Sequence, residues 1–325
     1  MNNLISTARQ IPVNESAGSL TVSTLTLPAP DRALLLEVRV TAPATGSNLP
    51  IVLLSHGGGQ SLYLSSKDGY DPLVHFYAAH GFAVIQPSHL SSKIGGLGLD
   101  PNAEGFPIFW RSRIADMKHI LDSLDNIEER IPAITGRLDH TNVAAVGHSG
   151  GSQTVALLLG ARLTDPTDGT LIDEDYTEPR IKSGVLLAAV GNGGDSLTDA
   201  VRKGFPELHL DFSHMTTPTL VAYGDEDDSP ELTVRGATWH ADPYHHGPGA
   251  DHLLTLFGAK HFLGGIMGYD LKETDDEDPE RLAITQRMTW AYLRSALCEG
   301  DSAWPQACAA LEKHAPTYGR VDSKS

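Results

Sequence analysis

Cysteine is nearly absent: the 325-residue chain carries only Cys298 and Cys308. A chain of this length can bury enough apolar surface to fold without a disulfide, so two free thiols are expected in preference to a local bridge. Positive charge is also short. The 24 lysines and arginines face 41 aspartates and glutamates, a net charge of −17, and such a surface repels nucleic acid and anionic membranes alike. Long hydrophobic runs are missing as well. The N-terminal stretch from Met1 to Ser16 has neither a basic leader nor an apolar core, and no run reaches the ~18 residues that a membrane helix needs. The expectation is a soluble, cytoplasmic chain with no integral membrane association. There is no long Gly/Ser/Pro linker and no internal repeat, which points to a single α/β domain over residues 1–325. Neither G-x-x-x-x-G-K-[ST] nor G-x-G-x-x-G occurs, so no phosphate-cradling loop is expected, and no cofactor.

What is present alternates between two periods. Residues 18–41 hold two β-rich runs parted by Pro28, Ala29, Pro30 and Asp31, which reads as a hairpin on an antiparallel sheet edge. Short continuous apolar runs follow at 50–55, 82–87, 142–146, 184–190, 217–223 and 252–257, the pattern of parallel strands buried on both faces. Helical spacing separates them at 71–80, 110–127, after residue 149, within 196–216 and from about 278 to 297. Alternation of this kind predicts a mostly parallel central sheet with helices on both faces and ligands at the strand C-termini. The predicted core runs from about 18 to 297, with loop insertions at 88–109 and 238–252 over the site and a C-terminal tail at 298–325.

The stretch Asn142 to Leu163 organises the chemistry. An apolar strand runs into Gly147-His148-Ser149-Gly150-Gly151, and an apolar helix follows. Glycines two before and two after a serine allow a sharp strand-to-helix turn that exposes the serine Oγ and leaves the next N–H, that of Gly150, facing a developing oxyanion. Those five residues alone recur by chance, so the context must carry the claim. Upstream, the strand at 50–55 ends in His56-Gly57-Gly58-Gly59; downstream, one strand ends in Gly224-Asp225-Glu226-Asp227 and another in Gly258-Ala259-Lys260-His261.

Together these motifs resemble the α/β-hydrolase superfamily over roughly residues 49–297, with serine, acid and histidine in the chain order that fold uses. The S-H-G-G-G turn at 55–59, Trp110-x-x-Arg113-x-x-Asp116 and the P-T-L-x-x-x-G-x-x-D strand at 218–227 are most similar to the branch holding dienelactone hydrolases, chlorophyllases and platelet-activating-factor acetylhydrolases. The resemblance implies Ser149 as nucleophile, His261 as general base and Asp227 as the acid that orients it, with Asp195, after the preceding strand, as the alternative acid. It implies an oxyanion hole from the backbone N–H groups of Gly58 and Gly150. The implied activity is hydrolysis of a carboxylic ester of small to medium size and partly apolar character, through an acyl-enzyme. The same triad would serve an acyltransferase, thioesterase or lactonase, and a non-catalytic binding protein is the remaining alternative.

Phe106, Phe109 and Trp110 are candidates for an apolar pocket lining, although a core role for Trp110 reads equally well. His148 is expected to pack against the sheet. Arg113 and Asp116, three apart on a helix, are expected to form a structural ion pair. His240, His245, His246 and His252 with Asp242 and Asp251 match no zinc spacing, so no metal is expected there.

Overall fold

Along the central strands neighbouring residues belong to different cores. Ile51 and Leu53 pack in one apolar cluster while Val52 and Leu54 pack in the other, and Ala145 and Leu186 oppose Ala144, Val146, Val185 and Leu187 in the same way. Side chains of a strand point alternately to the two faces, so unbroken apolar runs require helices over both. The computed structural model describes residues 4–29, 31–58, 64–93, 99–268 and 275–324.

The strands are β1 (Ser19–Leu27), β2 (Leu36–Pro43), β3 (Leu49–Ser55), β4 (Ala83–Pro87), β5 (Leu138–His148), β6 (Arg162–Leu163), β7 (Ile181–Leu187), β8 (Leu210–Asp211), β9 (Thr219–Gly224), β10 (His252–Leu256) and β11 (Gly319–Ser323). Nine of them form one sheet in the order β1-β2-β4-β3-β5-β7-β9-β10-β11, and β6 pairs only with β8. The block from β4 to β10 is parallel throughout. At one edge the β1–β2 hairpin is antiparallel, as its proline-rich turn predicts. The helices are α1 (Asp71–Ala79), α2 (Trp110–Asp122), α3 (Leu124–Arg130), α4 (Gly150–Leu158), α5 (Asp199–Gly204), α6 (Asp242–His246), α7 (Pro279–Leu297) and α8 (Ala303–His314). Residues of α2, α3 and α4 join one core, and those of α1, α7 and α8 join the other. Each fully buried Val, Leu or Ile contributes about 1.5–3 kcal/mol.

Three expectations need correction. The single helix over 110–127 is two, divided at Ser123 into α2 and α3. The segment 196–216 holds the end of one 3-10 turn, the short helix α5, a second 3-10 turn and β8. Residues 298–325 are not a loose tail: α8 joins the core of α7, and β11 adds an antiparallel edge strand on β10, with Val321 opposite Leu254. Of the insertion expected at 88–109, residues 94–98 lie outside the described residues. Cys298 and Cys308 are both free, and burial pushes the Cys308 thiol up to about 12. No helix among the described residues is long and apolar enough to cross a membrane.

The connections fix where a ligand can sit. From β3 the chain passes through α1 to β4 on one side, then through α2 and α3 back to β5 on the other side of β3. The order therefore reverses between β3 and β5, and the carboxyl ends of these two neighbours are where open parallel sheets bind their ligands. The Gly57-Gly58 turn ends β3, and Ser149 ends β5.

Candidate active site

Ser149 is the single residue between β5 and α4. Its backbone, at φ 53° and ψ −124°, lies where side-chain-bearing residues rarely go, a conformation that costs about 1–3 kcal/mol and persists only where neighbours over-determine it. They do so here. Ser149 N–H donates to Leu187 O at 3.0 Å, and Ser149 O accepts from Ser152 N–H at 2.8 Å and from Ser152 Oγ at 2.6 Å. The flanking glycines are required by space. A Cβ on Gly147 would stand 2.2 Å from Gly151 O, and one on Gly151 would stand 2.0 Å from Ser55 O.

The turn after β3 lies against this elbow. A Cβ on Gly57 would be 3.3 Å from Ser149 Cβ, and a Cβ on Gly150 would be 3.9 Å from Gly58 N. Gly58 and Gly150, whose backbone N–H groups are expected to face an oxyanion, are thereby neighbours.

His261 follows β10 and Asp227 follows β9, adjacent parallel strands whose loops emerge at the same sheet edge. His261 Nδ1 lies 2.8 Å from Asp227 Oδ2. A carboxylate can only accept, so the imidazole proton sits on Nδ1 and Nε2 is left as the basic atom. Ser229 Oγ donates to the other oxygen, Oδ1, at 2.8 Å. Asp227 is 4% exposed. Burial works against its charge, but contacts from His240 and His261 outweigh that cost and hold the carboxyl well below the usual range. Asp195 is fully exposed and paired with Arg202 at 2.8 Å. Of the two candidate acids, the structure brings Asp227 to His261.

His240 meets the same carboxylate. Its Nδ1 donates to Ala189 O at 2.6 Å, and its Nε2 stands 3.2 Å from Asp227 Oδ2 without the alignment of a hydrogen bond. The rest of the histidine-rich loop disperses. His252 bonds Ser323, His245 stacks on Tyr244, and Asp242 takes Arg235 and the Asn192 N–H. Asp227, His240 and His261 do offer three donor atoms within 4.8 Å of one another, as do Asp125, Glu128 and His140, of which Asp125 is exposed and Glu128 buried.

His148 packs as expected, and it also ties the loops together. Its Nε2–H donates to His261 O at 2.8 Å, and its Nδ1 accepts from the Tyr70 hydroxyl at 2.7 Å. That hydroxyl accepts from Gly57 N–H at 3.0 Å. Burial, with the charge of His261 as a second cause, lowers His148 to about 3, so it is neutral and its tautomer is set by these partners. One chain of hydrogen bonds thus joins the β3 turn, the elbow and the backbone of His261.

The expected Arg113–Asp116 pair is not formed. Asp116 bonds Arg32 Nε at 2.9 Å and His89 Nδ1 at 2.8 Å, and burial raises its carboxyl to about 7 against the pull of Arg32. Arg113, 1% exposed, points toward the turn that follows β3. It donates to Thr154 Oγ1 at 2.9 Å, to Ser91 Oγ at 2.6 Å and to the carbonyls of His56 and Gly57. Spacing alone suggests i,i+3 pairing, but both side chains point inward, and the carbonyls of the turn after β3 take the guanidinium.

Phe106, Phe109 and Trp110 do come together, lining a cavity of about 570 Å³ with Leu163, Phe205 and Glu207. None of Ser149, Asp227 or His261 lines it. Trp110 is instead half-buried, stacked edge-on with Tyr176 and covered by Arg111. Tyr70 is the residue at this site that no sequence motif contained; His56 stood in the glycine turn after β3 and His240 in the histidine cluster, neither with a role at the site. No protein-family model matches the chain, and no curated protein does.

Proposed function

We propose that this chain is a serine hydrolase of the α/β-hydrolase type, cleaving a carboxylic ester through an acyl-enzyme. The observation that carries the reading is the 2.8 Å contact of His261 Nδ1 with a buried, ionised Asp227, beside a serine held in a strained strand-to-helix turn. A serine hydroxyl is a weak nucleophile until a positioned base takes its proton. In the proposed cycle Ser149 Oγ attacks the acyl carbon, His261 Nε2 takes the proton, and Asp227 stabilises the imidazolium that results. The Gly58 and Gly150 N–H groups donate to the carbonyl oxygen as negative charge develops on it. His261 returns the proton to the leaving alcohol, and water repeats the sequence to release the acid. Ser149 and His261 keep some access to solvent while Asp227 and His148 are buried, as roles of reaction and of support would require.

The test is covalent labelling with a fluorophosphonate, followed by a panel of esters that varies acyl length and alcohol. Wild type is expected to label stoichiometrically at Ser149 and to turn over activated esters, and Ser149→Ala to do neither. Equal rates in both proteins, or label located on another residue, would overturn the assignment.

A further inference from the structure

The oxyanion donors are amides, and an amide can be aimed from its far end. A trans peptide unit is planar with C=O and N–H pointing opposite ways, so whatever grips the Gly57 carbonyl decides where the Gly58 N–H points. Two side chains grip it from beneath. His56 Nδ1 lies 2.7 Å from Gly57 O, and the ring tautomer is fixed because His56 Nε2 accepts from the His89 N–H at 3.0 Å, which can only donate. Arg113 Nη1 lies 3.4 Å from the same oxygen, and Arg113 Nη2 donates to the preceding carbonyl, His56 O. Gly57 O therefore points into the protein, and the Gly58 N–H points away from it, on the side where Gly58 N adjoins Gly150.

The second donor is built the same way. Gly150 N–H shares its peptide unit with Ser149 O, which Ser152 holds through both N–H and Oγ. Arg113 also ties the 57–58 turn to the helix that follows Ser149. Its Nε donates to Thr154 Oγ1 in the first turns of α4, and Thr154 in turn donates to Gly150 O at 3.3 Å. A guanidinium presents its N–H groups in a rigid planar fork, which lysine cannot imitate.

We infer that Arg113 and His56 are positioning residues for the oxyanion hole, gripping the carbonyl end of the 57–58 peptide so that its N–H is fixed toward the reacting carbonyl oxygen before substrate arrives. This rests on the serine-hydrolase reading, and it assigns to two buried side chains the preorganisation on which such donors depend. Substrate binding does not use the donor fully; the tetrahedral transition state does. Loss of the grip should therefore lower kcat and kcat/KM together and leave KM nearly unchanged.

The experiment compares wild type, Arg113→Lys and His56→Leu, each with its active sites counted by the end-point of fluorophosphonate labelling. His56→Leu leaves Arg113 in place, so it reports even if Arg113→Lys does not fold. Per titrated site, kcat is expected to fall about 10- to 100-fold in each variant, short of the ~10²–10³ typical of deleting one donor outright, with KM within about threefold. The inhibition constant of an alkyl boronic acid, whose tetrahedral adduct presents an oxygen to the hole, should rise by the same factor as kcat falls. A structural role alone would reduce the number of titratable sites and leave kcat per site intact. That result, or a boronate affinity that does not follow kcat, overturns the inference. If wild type itself fails to label at Ser149, the hydrolase reading fails and the inference with it; if wild type labels and the variants match it, only the inference fails.

Discussion

Removing one oxygen atom tests the hydrogen-bond chain that joins the three loops of the site. In Tyr70→Phe the ring remains and the hydroxyl is lost. That hydroxyl is the acceptor for Gly57 N–H at 3.0 Å and the donor to His148 Nδ1 at 2.7 Å. Tyr70 is 1% exposed and His148 2%, so bulk water does not replace it. A buried donor or acceptor left unpaired costs about 1–3 kcal/mol, and two such groups give a destabilisation of about 2–6 kcal/mol, a large part of the ~5–15 kcal/mol of a typical domain. The assay is urea denaturation at pH 7.5, monitored by tryptophan fluorescence. For a urea m-value of about 3 kcal/mol/M, the midpoint should drop by roughly 0.7–2 M. Tyr70→Phe should also lower ester turnover, because Gly57 and the His261 backbone lose their common tether. A destabilisation under about 0.5 kcal/mol would mean that the hydroxyl does not bridge these groups, and the coupling between loops argued from it would be wrong.

Acid should destabilise the fold through His148. Its folded pKa of about 3 lies below the ordinary 6.5, so its contribution is complete above pH 6.5 and is lost as pH falls toward 3, about 2 kcal/mol by pH 5. His56 and His89, also lowered by burial, act in the same direction, whereas Asp116, raised to about 7, favours the fold as pH falls. The decisive measurement is therefore the change in stability between pH 7.5 and 5.0 for wild type against His148→Asn, which should differ by about 2 kcal/mol; equal slopes would refute the assignment. Asp227→Asn should lose about 10³–10⁴ in kcat per titrated site while Asp195→Asn stays within threefold of wild type, and the reverse order would move the acid to the earlier loop. His261→Gln should lose turnover by a similar factor, while His240→Gln should cost less than tenfold; equal losses would mean that His240 also carries protons.

Strands were the most legible part of the chain, because both faces of β3, β5, β7 and β9 are covered and each therefore reads as a continuous apolar run. The elbow was legible for a different reason: Gly147 and Gly151 have no room for a Cβ, so the backbone geometry is written in residue identity. β11 left almost no trace. Its sequence, Gly-Arg-Val-Asp-Ser, is an edge strand held by backbone pairing to β10, and backbone hydrogen bonds do not depend on side-chain type. The Arg113 and Asp116 partners were misjudged because helical spacing reports which residues share a helix face, not what lies opposite that face; Asp116 found Arg32, 84 residues earlier.

Asp227 touches two histidines, and contact alone does not say which one would move protons. The surroundings of each ring do. His240 is 1% exposed, and its Nδ1 is committed to Ala189 O at 2.6 Å; the remaining nitrogen faces Asp227 and no open space. His261 spends Nδ1 on Asp227, its side chain is 22% exposed, and its backbone carbonyl is held by His148, the neighbour of Ser149. A general base needs one ring nitrogen anchored and the other open to the reacting group. Only His261 meets both conditions among the two. The same logic explains why the motif's own histidine, His148, is not a rival: both of its nitrogens are occupied, by Tyr70 and by the His261 carbonyl, and burial, by lowering it to about 3, leaves it a weak base at neutral pH.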